Sequence, residues 1–358
     1  MTRNRGSGAG LDVVRVLDGH DDDGASTGGE VIATLNPEDG RCLGAVAEQL
    51  ASFDAVVLQH EYGIWGPDSG KAVLDLAEKI EVPLITILHT VGARPNETHR
   101  YILERLAALS LLTAVPTRSA QRVLIDRYRI DPRTTAVIPH GTHSVHRNPF
   151  AKSSETAGSS GSAPALLTWG LIGPGKGLES ALKAVALLRR RFPGLRYVIV
   201  GRTHPKVLDA HGEAYRLTLQ DMAERLDLSQ TVEFINDYLP RESLNELLRA
   251  TDVVVLPYES SEQVVSGVLV EAVAASVPIV ATAFSHAVEL AEQGAVAVTP
   301  NRSPEALADA IAGLLDSPAR MGRVVEAQRR LAPSLEWTSV AAQYEQVVHE
   351  VTQMPAAV

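Results

Sequence analysis

Apolar residues along the chain fall into two alternating patterns. Short runs such as "AVVLQ" (Ala55 to Gln59), "LITILH" (Leu84 to His89), "LLTAV" (Leu111 to Val115) and "TAVIPHG" (Thr135 to Gly141) read as buried strands. Between them, the segments near Lys71 to Lys79, Glu97 to Leu109 and Ser119 to Tyr128 read as amphipathic helices. The pattern restarts at "ALLTWG", where a following helix carries Leu178, Leu182, Val185 and Leu188 on one stripe. "RYVIVG", "TVEFIN", "DVVVLPY", "VPIVAT" and "AVAVTP" continue as strands with helical segments between most of them. Alternating strands and helices of this length imply parallel sheets covered by helices on both faces.

The stretch between the two blocks, "AKSSETAGSSGSAP" (Ala151 to Pro164), has the composition of a linker or exposed loop. The expected organisation is therefore an α/β fold of two doubly wound, Rossmann-like domains facing a cleft. The first spans 1–150, a linker covers 151–163, and the second spans 164–335. A last helix within 336–358 carries Val340, Tyr344, Val347 and Val348 on one face and is expected to pack back on the first domain.

Composition narrows the classes. The 358 residues are 45% hydrophobic and 21% charged, as in a globular chain with material for about two domains. A net charge of -10 and only 4% aromatics argue against a nucleic-acid partner. Cys42 is the single cysteine, which excludes an intrachain disulfide and a thiolate-rich metal site. No run of eighteen apolar residues is present, so no transmembrane segment is expected, and "MTRNRGSGAG" lacks the apolar core of a secretory signal. A cytoplasmic location fits these features.

The stretch "SSEQVVSGVLVEAVAASVPIVAT" (Ser260 to Thr282) poses a chemical question. Glu271 stands among Val268, Leu269, Val270, Ala272, Val273, Ala274 and Ala275, in a helix apolar nearly all round. A carboxylate there costs free energy unless it is paired. Two partners fit equally well: a neighbouring arginine, or the diol of a bound ribose. The helix follows the strand "DVVVLPY", so the N–H groups of Ser266, Gly267 and Val268 form an anion site at its start. The turn "GLIGPGKG" places Gly173 and Lys176 just before another helix, although the P-loop spacing is absent. Lys176 there is either a phosphate ligand or a solvated surface lysine. His89 ends a strand, a place suited to ligand contact, although a lone histidine is more often structural. His140, His143 and His146 lie in "PHGTHSVH", but in no recognised ligand spacing, so no metal is expected.

Taken in order, these segments resemble the retaining glycosyltransferase family 4, of GT-B architecture, from about Ala51 to the end of the chain. The opening stretch resembles that family's E-x7-E region and the "EAxAxGxPVVAT" that follows it. Gly170 to Gly177 is similar to its phosphate-contacting turn, "ILHT" to its N-domain histidine and "VIPHG" to its last N-domain strand. Within the family, "GRTHP", "GEAYR" and "SGVLVEA" resemble actinobacterial-type members.

The resemblance implies a hexosyltransferase using a nucleoside diphosphate sugar as donor and a carbohydrate or other hydroxyl compound as acceptor. It implies no cofactor, and a homo-oligomer is compatible with it. Glu271 then meets the nucleotide ribose, Lys176 the diphosphate and His89 the transferred sugar. The N–H groups near Gly267 and Val268 hold phosphate oxygens.

The family pattern also has departures. Its first glutamate falls on Gln263, expected to orient the sugar. The arginine before the lysine falls on Leu171, for which Arg202 is the candidate substitute. Ser276 stands where glycine is frequent. The chain opens with Gly/Asp-rich sequence where the family opens with a strand, a glycine-rich loop and a helix. A sugar phosphorylase, a nucleotide-sugar epimerase and a non-catalytic subunit on the same fold are the alternative readings.

Overall fold

A computed structural model describes residues 2–5, 8–17, 30–143, 163–260 and 265–353. The chain forms two compact units, one from residues 1–139 and 340–358, the other from 140–339. The division falls just before His140. The segment 151–163, read as the linker, lies outside the described residues apart from Ala163.

In the first unit, β1 (Thr2–Arg5), β2 (Gly8–Val16) and β3 (Glu30–Leu35) form a three-stranded sheet. β1 and β2 are antiparallel, and β2 and β3 are parallel with an irregularity between Val13 and Val14. This corrects the expectation that the chain opens without a strand. The β-branched run around Val13, Val14 and Val16 outweighs the glycines and aspartates on either side.

A second sheet runs β4 (Val56–His60), β5 (Leu84–Leu88), β6 (Leu112–Val115) and β7 (Thr135–Val137), all parallel and in sequence order. β7 stops short of the expected Gly141 because Pro139 has no N–H to continue the ladder. Helices Glu97–Leu109 and Arg118–Tyr128 connect these strands and start on Asn96 and Thr117, whose side chains accept from His99 N and Ala120 N. The last helix, Trp337–Gln353, buries Val340 and Val351 in a cluster with Ile85, Ile87, Ala114 and Ile138.

The second unit is one parallel sheet of six strands in the order β10-β9-β8-β11-β12-β13. The strands are β8 (Ala165–Trp169), β9 (Arg196–Val200), β10 (Val232–Ile235), β11 (Val253–Leu256), β12 (Ile279–Thr282) and β13 (Ala297–Thr299). Both faces are covered, which is why these strands read as unbroken apolar runs. Leu166, Val253 and Val255 join Leu178, Leu182 and Ile311 on one face. Leu167, Val254 and Leu256 join Leu269, Val273 and Phe284 on the other, with the period of two that a strand imposes.

Strand order reverses between β8 and β11: the chain builds outward through β9 and β10 on one side, and through β12 and β13 on the other. The carboxyl ends of β8 and β11 therefore flank the crevice where open α/β sheets bind ligands. Ser276, at the family's frequent glycine, has φ +53, a left-handed conformation that glycine adopts more readily.

Gln328 is fully buried on the helix Pro318–Leu335, and its Nε2 donates to the carbonyls of Val277 and Ala295, each at 2.9 Å. These residues lead into β12 and β13, so one amide ties both strand entries to the helix. Gln328→Met should destabilise the second unit by about 3 kcal/mol, because two buried carbonyls lose their donors. Denaturant unfolding measures this, and a loss below about 1 kcal/mol would show that the strands re-pair without it.

Candidate functional site

Beyond the end of β8, Gly170 has φ +112 and its backbone packs on Val268 of the helix Gly267–Ala274. Gly177, with φ +67, lies so close to Pro257 that a Cβ would stand 1.8 Å from the Pro257 oxygen. Glu259 N donates to Gly175 O at 2.9 Å. The turn after β8 and the segment after β11 are thus laid against each other by backbone contacts. Ile172 and Thr203 form a parallel bridge that adds the residues after β9. Gly173 sits in this layer, where a Cβ would meet Val207 at 3.4 Å and His204 at 3.7 Å.

Lys176 is half-buried, with Nζ 4.5 Å from the centre of the Tyr258 ring. Burial lowers its pKa. Among the described residues no carboxylate lies within ion-pair distance of it. Burial, then the charges of Lys206 and Lys176, hold His204 below its ordinary value, so the lysine approaches this side of the turn. Burial holds the Tyr258 hydroxyl well above its ordinary pKa, and the neighbouring Ser266 side chain acts in the opposite direction. Ser266 is buried and caps the helix, its Oγ accepting from Leu269 N at 3.2 Å, while its own N–H, expected to face an anion, is instead donated to His286 Nδ1 at 3.2 Å. Lys176 and the start of the helix Gly267–Ala274 are therefore joined through one tyrosine. His140 lies against Gly267 at ordinary contact distance, with Nδ1 donating to Gly141 O at 2.8 Å.

Glu271 is half-buried, and its Oε2 accepts the indole N–H of Trp169 at 3.1 Å. Among the described residues, Glu271 forms no ion pair with an arginine or any other cation. A neutral donor satisfies one lone pair and leaves the negative charge uncancelled, with further acceptor capacity. Ser266, Gly267, Val268, Glu271, Gly173 and Lys176 are thus brought into one neighbourhood at the switch point. Arg202 instead pairs with Asp237 at 3.0 Å, and both side chains are well exposed. Leu171 is 41% exposed, so its position carries no buried cation. Gln263 lies outside the described residues, as does His146. His143 is exposed, and among the described residues no cluster of three or more metal-ligating side chains occurs.

Behind this layer is an ion pair, buried at its arginine and 37% exposed at its glutamate, that sequence reading did not single out. Arg216 is 4% exposed, donates to Glu213 at 3.2 Å and to Gly201 O at 2.5 Å, and approaches Thr203 Oγ1 at 3.4 Å. Hydrogen bonds from Thr203 and Arg216 hold the Glu213 carboxyl below the usual range. The pair fixes the backbone that Ile172 bridges. Its sequence signal was "GEAYR", where an arginine three residues after a glutamate shares its helical face.

In the first unit, the ends of β4 and β5 carry a separate polar constellation. His89 Nε2 and Gln59 Oε1 are 2.7 Å apart, so the histidine donates and the amide oxygen accepts. Thr90 Oγ1 donates to Glu61 Oε2 at 2.6 Å, and Tyr62 N donates to Glu61 Oε1 at 3.0 Å. His60 is fully buried, has no hydrogen-bond partner at either ring nitrogen among the described residues, and packs edge-on to Tyr62. Burial, then the neighbouring His89 and His99, lower its pKa to about 4. Gln59, Glu61 and Thr90 were missed because the motif "LQHEYG" read only as the end of a strand. Three consecutive polar residues closing an apolar strand were the available signal.

Residues 151–331 match the family described as glycosyl transferases group 1. A D-inositol 3-phosphate glycosyltransferase of Kineococcus radiotolerans is 30% identical over 317 residues, covering 81% of this chain and 71% of that protein. Among solved structures, sucrose-phosphate synthase from Thermosynechococcus elongatus superposes with a TM-score of 0.73 at 19% identity, covering 95% of this chain and 88% of that one. Anabaena HepE in complex with UDP and glucose gives 0.71 at 18% identity, covering 90% and 86%. The two-domain α/β fold with parallel sheets is that of the GT-B enzymes.

Two buried histidines generate a pH dependence. His60 and His286 both have pKa values lowered to about 4, His286 by burial above all. As pH falls below about 6.5, the unfolded chain takes up protons that the folded chain refuses, so stability is lost on acidification. Each group contributes about 2 kcal/mol of that loss by pH 5. His60→Phe removes a titrating ring without removing a ring hydrogen bond. Its thermal midpoint between pH 7 and pH 5 should fall less than that of the unaltered protein. Parallel pH profiles would refute the assignment.

Proposed function

We propose, starting from the fact that this chain belongs to the glycosyl transferases group 1 family, that it is a retaining hexosyltransferase using a nucleoside diphosphate sugar. The observation that carries this reading is Lys176, a half-buried cation without a carboxylate partner among the described residues, joined through Tyr258 to a capped helix N-terminus. A cation and free N–H groups converging at a switch point suit a diphosphate. Solved proteins of this fold hold UDP and UDP-glucose, which supports a UDP-sugar donor here. A relative is named D-inositol 3-phosphate glycosyltransferase, which supports a polyol hydroxyl as acceptor. The "SGVLVEA" segment fits an actinobacterial-type member acting in the cytoplasm. No helix among the described residues is long and apolar enough to cross a membrane.

In this reading Glu271 takes the ribose hydroxyls with the lone pairs that Trp169 leaves open. Gly267 and Val268 present N–H groups to phosphate oxygens, and Gly173 lets the diphosphate approach the turn. The sugar–phosphate bond breaks as the acceptor oxygen arrives on the same face. A departing phosphate oxygen takes the acceptor proton, so no protein nucleophile, metal or cofactor is called for. Catalysis then rests on positioning and on stabilising charge that grows on the leaving diphosphate. Lys176 supplies that stabilisation. His89, with its tautomer set by Gln59, contacts the transferred sugar, and Gln263 orients it. Arg202 remains a distal candidate for the leaving group.

Thermal-shift titration with UDP, GDP, ADP and their hexose conjugates identifies the donor. A ligand at about 100 times its dissociation constant should stabilise by about 2.7 kcal/mol. Transfer assays with EDTA present, with product anomers read by NMR, then test retention. Binding without turnover on any donor would favour the non-catalytic subunit. Phosphate-dependent cleavage of a disaccharide without nucleotide binding would favour the phosphorylase.

Two substitutions test the site itself. Glu271→Gln keeps an oxygen for the Trp169 indole while removing the charge. It should weaken nucleoside diphosphate binding by about 1–2 kcal/mol. Calorimetry showing unchanged affinity would make Glu271 structural. Lys176→Met keeps an apolar stem on Tyr258 and should lower kcat about 100-fold while changing donor affinity far less. Equal turnover in variant and parent would remove Lys176 from the mechanism.

A further inference from the structure

We infer that His140 is a second cationic contact for the donor diphosphate: its ring takes up a proton from solvent as the nucleotide sugar binds and returns it when the nucleoside diphosphate leaves. The inference rests on the transferase reading above and deepens it, naming a residue of the histidine-rich turn "PHGTHSVH" to which that reading gives no part.

The ring stands at the start of the helix Gly267–Ala274. A Cβ built on Gly267 would meet His140 Cε1 at 3.5 Å and Nε2 at 3.6 Å, so the edge carrying Nε2 lies over the first residue of the helix. Gly267 has no side chain to hold the ring away, and its N–H is one of those offered to phosphate. An anion seated on that N–H has Nε2 as a neighbour.

The other ring nitrogen decides what Nε2 can do. Nδ1 lies 2.8 Å from Gly141 O. A carbonyl only accepts, so Nδ1 keeps its proton, and in the neutral ring Nε2 is a bare lone pair. A lone pair repels phosphate oxygens. Only the imidazolium, with protons on both nitrogens, keeps the Gly141 bond and donates to the anion at once. Anion binding and proton uptake are thus linked by the hydrogen bonding of the ring itself.

The fold holds the histidine there. A Cβ on Gly141 would stand 2.2 Å from Trp337 Cε3, so the glycine backbone is pressed against the indole. Thr142 N donates to Leu335 O at 2.8 Å and Trp337 N to Thr142 O at 2.9 Å. The Trp337 ring faces His140 with centroids 6.0 Å apart. His140 is half-buried, and among the described residues Nδ1 alone of its ring nitrogens is hydrogen-bonded.

The other titratable groups around this helix start are otherwise committed. His286 Nδ1 accepts from Ser266 N at 3.2 Å, so a proton there would displace the bond that fixes the cap. Burial above all, opposed by Glu289 and helped by His140, lowers its pKa to about 4. Glu271 accepts the Trp169 indole N–H, and Lys176 lies over the Tyr258 ring.

Isothermal calorimetry with UDP-glucose, GDP-mannose and ADP-glucose tests this, because diester phosphates carry no proton that titrates near neutrality. Near pH 7.5 an ordinary imidazole is about one-tenth protonated. The heat of binding in buffers of different ionisation enthalpy should therefore report uptake of about 0.4 proton or more per nucleotide sugar. Because the complex holds more protons than the free protein, affinity should rise on acidification, about fivefold or more from pH 8.5 to 6.5. His140→Gln keeps a neutral N–H donor. It should weaken binding near pH 7.5 about fivefold, abolish the uptake and flatten the pH profile. Should that variant fail to fold, His140→Asn should abolish the uptake in the same way. Buffer-independent heat in the native protein would overturn the inference. So would uptake that persists in a folded variant, since the proton then belongs to Lys176 or another group. Native protein that binds none of the three nucleotide sugars would instead overturn the transferase reading beneath it.

Discussion

The site depends on two glycines of the second unit at which a Cβ has no room. A side chain on Gly177 would reach within 1.8 Å of the Pro257 oxygen, and one on Gly201 within 1.9 Å of the Gly170 oxygen. Both glycines have positive φ, so the backbone conformation and the missing side chain are required together. These contacts close the turns after β8, β9 and β11 onto one another. Lys176 and the capped start of the helix Gly267–Ala274 approach as a consequence, joined through Tyr258.

Charge follows the same division between scaffold and site. Arg216 and Glu213 pair behind the turns, with Thr203 and Gly201 O completing the network. Arg202 and Asp237 pair at the surface, where an exposed ion pair adds little stability. Lys176 and Glu271 differ from both. Each is half-buried, and each is met within the fold by an aromatic side chain, Tyr258 and Trp169, that leaves its charge uncancelled. Folding alone gains little from such an arrangement. A ligand that carries negative phosphate and ribose hydroxyls complements both.

The strands and most helices were legible because burial on both faces of a parallel sheet writes apolar runs into the sequence. The positions of Lys176 and of the helix start beside Gly267 were legible for a local reason, since turns and helix starts use residue types fixed by backbone geometry. The partner of Glu271 was not, because Trp169 is distant in sequence and only the β8–β11 pairing brings the two together. The opening strands were hidden by glycines and aspartates around a short β-branched run. Gln59 and Glu61 escaped for another reason: a polar strand end has no periodicity, and its meaning depends on His89 and Thr90 arriving on the adjacent strand.

The bond from the Trp169 indole to Glu271 also gives the molecule an optical handle. The chain has three tryptophans, and Trp169 alone places its N–H on the carboxylate at the switch point. Trp65 donates to the Gln59 carbonyl, and the Trp337 ring faces His140. Indole emission responds to the charge and hydrogen bonding of its nitrogen. Any molecule that competes for Glu271 therefore alters the light from one identifiable residue, and occupancy of this crevice is readable in the unlabelled protein.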